Sequence, residues 1–475
     1  MREILSADMP NPSRHVRHEV TKESGRLAEL ATFCVWVELA KRPGDQAVMN
    51  WGKQERKDRL AKRLDRGYNE GAPRLRGTAL TESPTRTMSF MTTRLFPGLP
   101  GRQLGFALFL GLMWAPMACA QPSTPPSVVE QVVADVCEAQ VVLLGELPSH
   151  GEAQAFQTKA EIVDALVSQC GFDVLLFEAG VYDFLGFEEA LAEGQPTFRQ
   201  LNRAIGRFWW TEGLADWRQG LFDQAEAGTL VLGGIDDQPS VTSDYARAAL
   251  PELVASVLPA DQADACRDAL DRNLHWRYDE ETSFDEAEQV RLARCTHEAA
   301  QAASDTASST QQRLLESIAT TYGRQLNQTP DRDAVMHGTL EWYRARQPES
   351  KVIVWTATVH AARQQGGLST QPLGAHLAQE LGDALAVIGF TAAGGASSMA
   401  GMPSRPLEAA PPGSLETQAT ASGEAIVYLN ASALRGLGDV PSRLLGRFAS
   451  SDWSASFDGV VVIRKETPPV FEAWQ

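Results

Sequence analysis

VVLLGELPSHGEAQAF, residues 141–156, opens on a run of β-branched and leucine residues and then turns polar at Glu146, Ser149, His150 and Glu152. An apolar run bounded by Gly145 predicts a buried strand. Beyond it Ala155, Phe156, Val163, Leu166 and Val167 recur at helical spacing. Ser149 with Glu152 three residues on predicts a capping box for that helix. His150 then falls at the first helical position, where the positive end of the helix dipole favours the neutral imidazole, the form a general base must have. A strand leading into a helix is the first half of a parallel βαβ unit.

The same alternation runs along the chain. DVLLFE (173–178), TLVLGGID (229–236), KVIVWTA (351–357), ALAVIGF (384–390), EAIVYLN (424–430) and GVVVIR (459–464) read as further strands between amphipathic helices. Near-continuous apolar strands of this kind are covered on both faces. The expected fold class is therefore α/β, a mainly parallel sheet flanked by helices. Residues 243–328 break the pattern, being helical, acidic and rich in Ala, Gln and Ser, and read as an inserted helical hairpin or lid.

Of the 475 residues, 43% are hydrophobic, and the net charge is −17. Residues 1–87 carry 17 basic and 12 acidic side chains, whereas residues 121–475 carry 24 basic and 48 acidic ones. A surface that acidic repels phosphate backbones and excludes nucleic acid as a partner. Between these segments, residues 91–120 place Arg94 and Arg102 before an apolar run from Leu104 to Trp114 and end in Ala118-Cys119-Ala120. That is the order of a secretory signal peptide, with an apolar run too short to span a bilayer. The expected organisation is an upstream segment, 1–90, outside the mature protein; a signal peptide, 91–120; and a domain over 121–475. The product is periplasmic or secreted and keeps no stable membrane anchor. In an oxidising compartment Cys137 with Cys170, each just before a strand, and Cys266 with Cys295, in two helical segments, read as two disulfides, with buried free thiols as the alternative.

In open parallel sheets the ligand crevice lies beyond the carboxyl ends of the strands. Here Glu146, Glu178 and Asp236 stand at three strand ends, and His360 follows a fourth. Burying a carboxylate costs several kcal/mol unless it has a partner, so such groups imply a shared site. Lys159 is an available cation, with a solvated helix-surface lysine as the bland alternative. Trp209, Trp210 and Trp217 read as core or as binding wall. Arg332 and Asp333 read as caps of an amphipathic helix whose Met336, Leu340 and Tyr343 face the core. HExxH, CxxC, GxSxG and GxxxxGK[ST] motifs are all absent, so a hydrolase must activate water directly.

The ordered set LLGELPSHGEAQAFQTKAEIVDALVSQCGFDVLLFE, FWWTEGLADWRQ, LGGIDDQ, RDAVMHGTLEWY, KVIVWTATVHAAR, PPGSLE and SFDGVVVIRKETP resembles the erythromycin esterase family over nearly all of residues 130–470. The resemblance implies an α/β core with a helical hairpin and a deep cleft, and hydrolysis of a macrolide lactone ester without a metal. It makes His150 the general base of the GExxHG motif, with Glu146, Glu178 and His360 as companions. The sequence departs from the family in two places. Three residues separate Glu146 from His150 where the family has two, and the HNxH element appears as Ala357-Thr358-Val359-His360, without its first histidine. The expected protein is an exported hydrolase of an ester or lactone in a small molecule. His150, Glu146, Glu178 and His360 are its catalytic residues, Lys159, Trp210 and Asp236 bind substrate, and it uses no cofactor or metal. Two alternatives stand beside it: a metal-dependent hydrolase of the distantly similar Tiki type, with those Glu and His residues as ligands, and a binding protein that has lost the chemistry.

Overall fold

All seven apolar runs become strands of one sheet. The computed structural model describes residues 126–240, 242–303, 307–326 and 331–473; the upstream segment and the leader lie outside them. The strands are β1 (Val141–Leu144), β2 (Phe172–Gly180), β3 (Val231–Asp236), β4 (Lys351–Trp355), β5 (Leu385–Ala392), β8 (Ile426–Asn430) and β11 (Gly459–Ile463). Among the described residues two small hairpins complete the set: β6 (Ala396–Ser397) with β7 (Arg405–Pro406), and β9 (Asp439–Ser442) with β10 (Ala449–Asp452). The sheet order is β3-β2-β4-β1-β5-β11-β8. Every pairing is parallel except that of β8 with β11, which closes one edge.

Side chains alternate between the two faces of a strand, and each face here has its own apolar layer. Val142, Leu144, Leu175, Phe177, Ile353 and Trp355 pack with Phe156 and Val163 of the Ala153–Cys170 helix. Val141, Leu143, Val174, Leu176, Val352 and Val354 pack with Met336, Leu340 and Tyr343 of the Arg332–Arg346 helix. Burial on both sides is why the strands read as continuous rather than alternating apolar runs.

The helix after β1 does not start as its sequence suggests. It begins at Ala153, and the Ser149 hydroxyl donates to the Glu152 carboxylate instead of capping the backbone. The first amides are satisfied from far along the chain: Ala153 N–H by the Thr467 carbonyl, Gln154 and Ala155 N–H by the Glu466 carboxylate at 3.1 and 3.0 Å. His150 is accordingly outside the helix, in a turn closed by its N–H on the Leu147 carbonyl, with φ of 47°. That left-handed conformation is uncommon for a residue with a side chain and is seen where the surroundings enforce it. Gly151 next to it lets the turn pass close to the chain at Ser398, because a Cβ there would come within 2.3 Å of the Ser398 carbonyl oxygen.

Among its described residues the insertion holds four helices, Asp244–Val257, Ala260–Leu274, Glu286–Ala303 and Ser309–Gln325, rather than a single hairpin. Their apolar faces form a separate cluster with Val181, Tyr182 and Leu185 of the helix following β2. A Cys266–Cys295 disulfide joins the second and third of them. Cys137 and Cys170 are also bonded, although β1 and β2 are not neighbours. Their bridge lies at the start of β4, the strand between, whose Lys351 Nζ donates to the Cys137 and Cys170 carbonyls at 2.7 and 3.2 Å. Both bridges fit an oxidising compartment. Among the described residues no helix is long and apolar enough to cross a membrane.

Candidate active site

Strand order decides which side chains meet. β3, β2, β4 and β1 are consecutive in the sheet, so the residues at their carboxyl ends share one rim. Asp236 ends β3 and Glu178 lies near the end of β2; His360 sits in the one-turn helix Thr358–Ala361 after β4, and Glu146 and His150 follow β1. Gly145 lets the β1 exit pass the β4 exit, since a Cβ there would lie 2.6 Å from Thr358 Oγ1.

The innermost layer is built on Glu146, which is fully buried. Its Oε1 lies 2.7 Å from His150 Nδ1 and accepts from Trp209 Nε1 at 2.8 Å, while Oε2 accepts from Lys159 Nζ at 2.7 Å. Burial opposes ionisation of Glu146, but the Lys159 ammonium and the His150 ring together hold its carboxyl below the usual range. An ionised Glu146 requires the His150 proton on Nδ1, which leaves the Nε2 lone pair for chemistry when the ring is neutral. Burial disfavours the charged His150 ring, yet the hydrogen bond to Glu146 and the negative charge of Glu178 raise its pKa above that of ordinary histidine. Phe208 stacks on the imidazole at 4.9 Å and Trp209 meets it edge-on at 5.5 Å, fixing the ring plane.

The outer layer is built on Glu178. Its Oε2 accepts from Thr356 Oγ1 and the Ala357 N–H, both at 2.8 Å. Its Oε1 lies 2.9 Å from Arg332 Nη2, 3.3 Å from His360 Nε2 and 4.0 Å from His150 Nε2. Burial works against its charge, but His360 and Arg332 hold the Glu178 carboxyl well below the usual range. Arg332 also donates to both oxygens of Asp236 and stands 3.0 Å from His360 Nε2. His360 Nδ1 lies 2.7 Å from Asp333 Oδ1, and that same oxygen accepts from the Leu373 N–H at 2.9 Å. Burial disfavours charge on His360, but the Glu178 and Asp333 carboxylates push it up to about 9.

The structure thus gathers Glu146, His150, Glu178, Asp236 and His360. It places Lys159 beneath Glu146, fully buried over the Trp355 ring, away from the accessible face. Of the adjacent tryptophans Trp209 reaches Glu146, whereas Trp210 donates to Glu472 at 2.6 Å. Arg332 and Asp333 do not cap their helix, because Asp331 does so through its side chain to the Ala334 N–H. Both belong to the site, and Arg332 is its most exposed member, with 25% of its side chain accessible against 16% for His360 and 11% for His150. Their one sequence signal was an acid and a base together at a helix start, which capping explains equally well. Glu146, His150, Glu178 and His360 are not among the described donor groups that converge within 4.8 Å, and Arg332 stands at both Glu178 and His360. Among the described residues the group of His and Glu donors that does converge lies elsewhere, at His337, Glu341 and Glu380.

A histidine held by a buried carboxylate at the carboxyl edge of a parallel sheet is an arrangement suited to activating water. The chain belongs to the erythromycin esterase family, whose sequence profile matches residues 167–466, and is a hydrolase of that kind. The match begins inside the helix that follows His150. Three solved structures share the fold. A protein from Bacillus cereus has 17% identity and a TM-score of 0.56 over 73% of this chain and 93% of its own. A protein titled as one of succinoglycan biosynthesis has 16% identity and a TM-score of 0.57 over 74% and 94%. A mutant of the erythromycin esterase EreC, in its open conformation, has 15% identity and a TM-score of 0.51 over 72% and 95%. At these identities the likeness is one of fold. No curated protein is similar enough to the chain to count as a match.

Proposed function

We propose that the protein is an exported hydrolase that cleaves an ester or lactone bond in a small molecule with water activated by His150. The observation that carries this reading is the His150 ring, with Nδ1 fixed on buried Glu146 and Nε2 within 4.0 Å of Glu178. Neutral His150 takes a proton from water on Nε2 as the water oxygen bonds to the ester carbonyl carbon. The carbonyl π electrons move onto its oxygen, where the Arg332 guanidinium is the accessible donor, with His360 beside it. Collapse of the tetrahedral adduct re-forms the carbonyl and expels the alkoxide, which takes the proton from Nε2. Arg332, more exposed than Lys159, takes the oxyanion role, and Lys159 acts from below by holding Glu146 ionised. Export is supported by the leader-like order of residues 91–120 and by two disulfides.

The test is a screen of purified protein against macrolides and a panel of small esters and lactones, in parallel with His150→Ala. Hydrolysis should be lost in the variant, and equal activity rejects the assignment. A chelator arm separates this reading from a metal-dependent one, since activity lost to chelation and restored by metal would favour the latter.

A further inference from the structure

We propose a second site, for a divalent transition-metal ion such as zinc, on the outer side of the helix pair Arg332–Arg346 and Leu373–Leu381. Each of these helices carries a histidine followed four residues later by a glutamate: His337 with Glu341, and His376 with Glu380. Residues four apart share a helix face, so two packed helices bring two imidazoles and two carboxylates together. The donor atoms of His337, Glu341 and Glu380 lie within 4.8 Å of one another. In a tetrahedral zinc site with bonds of 2.0–2.2 Å the ligands stand about 3.4 Å apart, so small rotamer adjustments suffice.

The second observation is that the Nε2 atom of each imidazole has no hydrogen-bond partner. His337 Nε2 is 3.1 Å from Glu380 Oε1 but lacks the geometry of a hydrogen bond, and it is buried with no other partner. His376 Nε2 is likewise buried without a partner, and its ring stacks on His337 at 5.4 Å. An unpaired buried polar atom is unfavourable, and a metal removes that cost for a neutral imidazole. Glu341 is engaged by Arg344 one turn on and would exchange that partly exposed ion pair for the metal. Imidazole with carboxylate suits zinc rather than calcium or magnesium. His337, Glu380 and Glu341 are the protein ligands, and His376 is the neighbour able to complete the shell after ring rotation.

The position gives the site a purpose. His337 is one turn from Asp333, and His376 is three residues from Leu373; the Asp333–Leu373 hydrogen bond joins the same two helices and orients His360. Metal bound here staples the helix pair one turn outside that joint.

The test uses the full chain, freed of metal with a chelator, titrated with Zn²⁺ by calorimetry and followed by thermal unfolding, with Co²⁺ as a visible-absorption probe. Saturable binding of one ion, a melting temperature that climbs with the logarithm of free zinc, and d–d bands of low-symmetry Co²⁺ are expected. His337→Asn and Glu380→Gln should each weaken binding at least tenfold, and His150→Asn should leave it intact. Glu380 is nearly half exposed, so its variant tests the site even if His337→Asn does not fold. Binding that survives Glu380→Gln, that is lost instead in His150→Asn, or that never saturates overturns the proposal.

Discussion

Lys159→Met puts the inner layer of the site under test. Lys159 Nζ is 2.7 Å from Glu146 Oε2 with both side chains fully buried, and its other contacts are the Thr356 carbonyl at 3.3 Å and the Trp355 ring at 4.2 Å. Burial pulls the Lys159 ammonium down to about 8, so the charge is kept at neutral pH by Glu146. Methionine retains the length of the stem and deletes the charge, leaving Glu146 with hydrogen bonds from His150 and Trp209 only. Removing one member of a buried pair costs about 3–5 kcal/mol, because the survivor stays desolvated. Glu146 can reduce that cost by taking up a proton, and this gives the effect a pH sign. A folded-state pKa raised above the ordinary 4.5 leaves stability intact below 4.5 and loses it as pH rises through the raised value. Urea unfolding of Lys159→Met should therefore show a larger loss at pH 8 than at pH 5, with an unchanged denaturant slope. Lys159→Met with Glu146→Gln removes both charges and should recover most of the loss. A loss below about 1 kcal/mol, one independent of pH, or a double variant no more stable than the single one refutes the reasoning.

Other perturbations test the remaining layers. Glu178 raises the proton affinity of both His150 and His360, so Glu178→Gln should move the acid limb of kcat/KM toward lower pH; an unmoved limb contradicts the placement. Replacing Cys266 and Cys295 together by alanine opens a loop of sequence separation 29 and should cost about 3.5 kcal/mol in chemical denaturation, with the insertion losing protection first in hydrogen exchange. Burial pushes Glu152 up to about 7, against the hydrogen bonds from Ser149 and Gly151, and burial together with Glu152 pushes Glu466 up to about 8. Both folded values exceed 4.5, so this stability is complete below pH 4.5 and lost as pH rises toward 8. Glu152→Gln should thus gain in melting temperature over the parent as pH goes from 5 to 8, and a constant difference would disprove the coupling.

The seven strands were legible because each is a four- to eight-residue apolar run, and that pattern follows from burial on both faces of a parallel sheet. Glu146, Glu178 and Asp236 were legible for a related reason, since a carboxylate ending such a run has no place in the core without a partner. Arg332 and Asp333 were hidden because the start of a helix accounts for both residue types locally. The choice of Trp209 over Trp210 was hidden too, because adjacent residues in an irregular segment carry no periodicity that says which faces inward.

Local order along the chain, then, determined the elements, the parallel class of the sheet and the placing of an imidazole at 150 just beyond the first strand. Tertiary structure alone decided how the helix beginning at Ala153 is capped, by Glu466 from more than three hundred residues away, and why His150 sits in a left-handed turn rather than in that helix. It also decided that Lys159 lies beneath the site and Arg332 in front of it. Periodicity registers which face of an element is apolar, whereas these outcomes depend on strand order and on the partner that each buried charge finds once the sheet has closed.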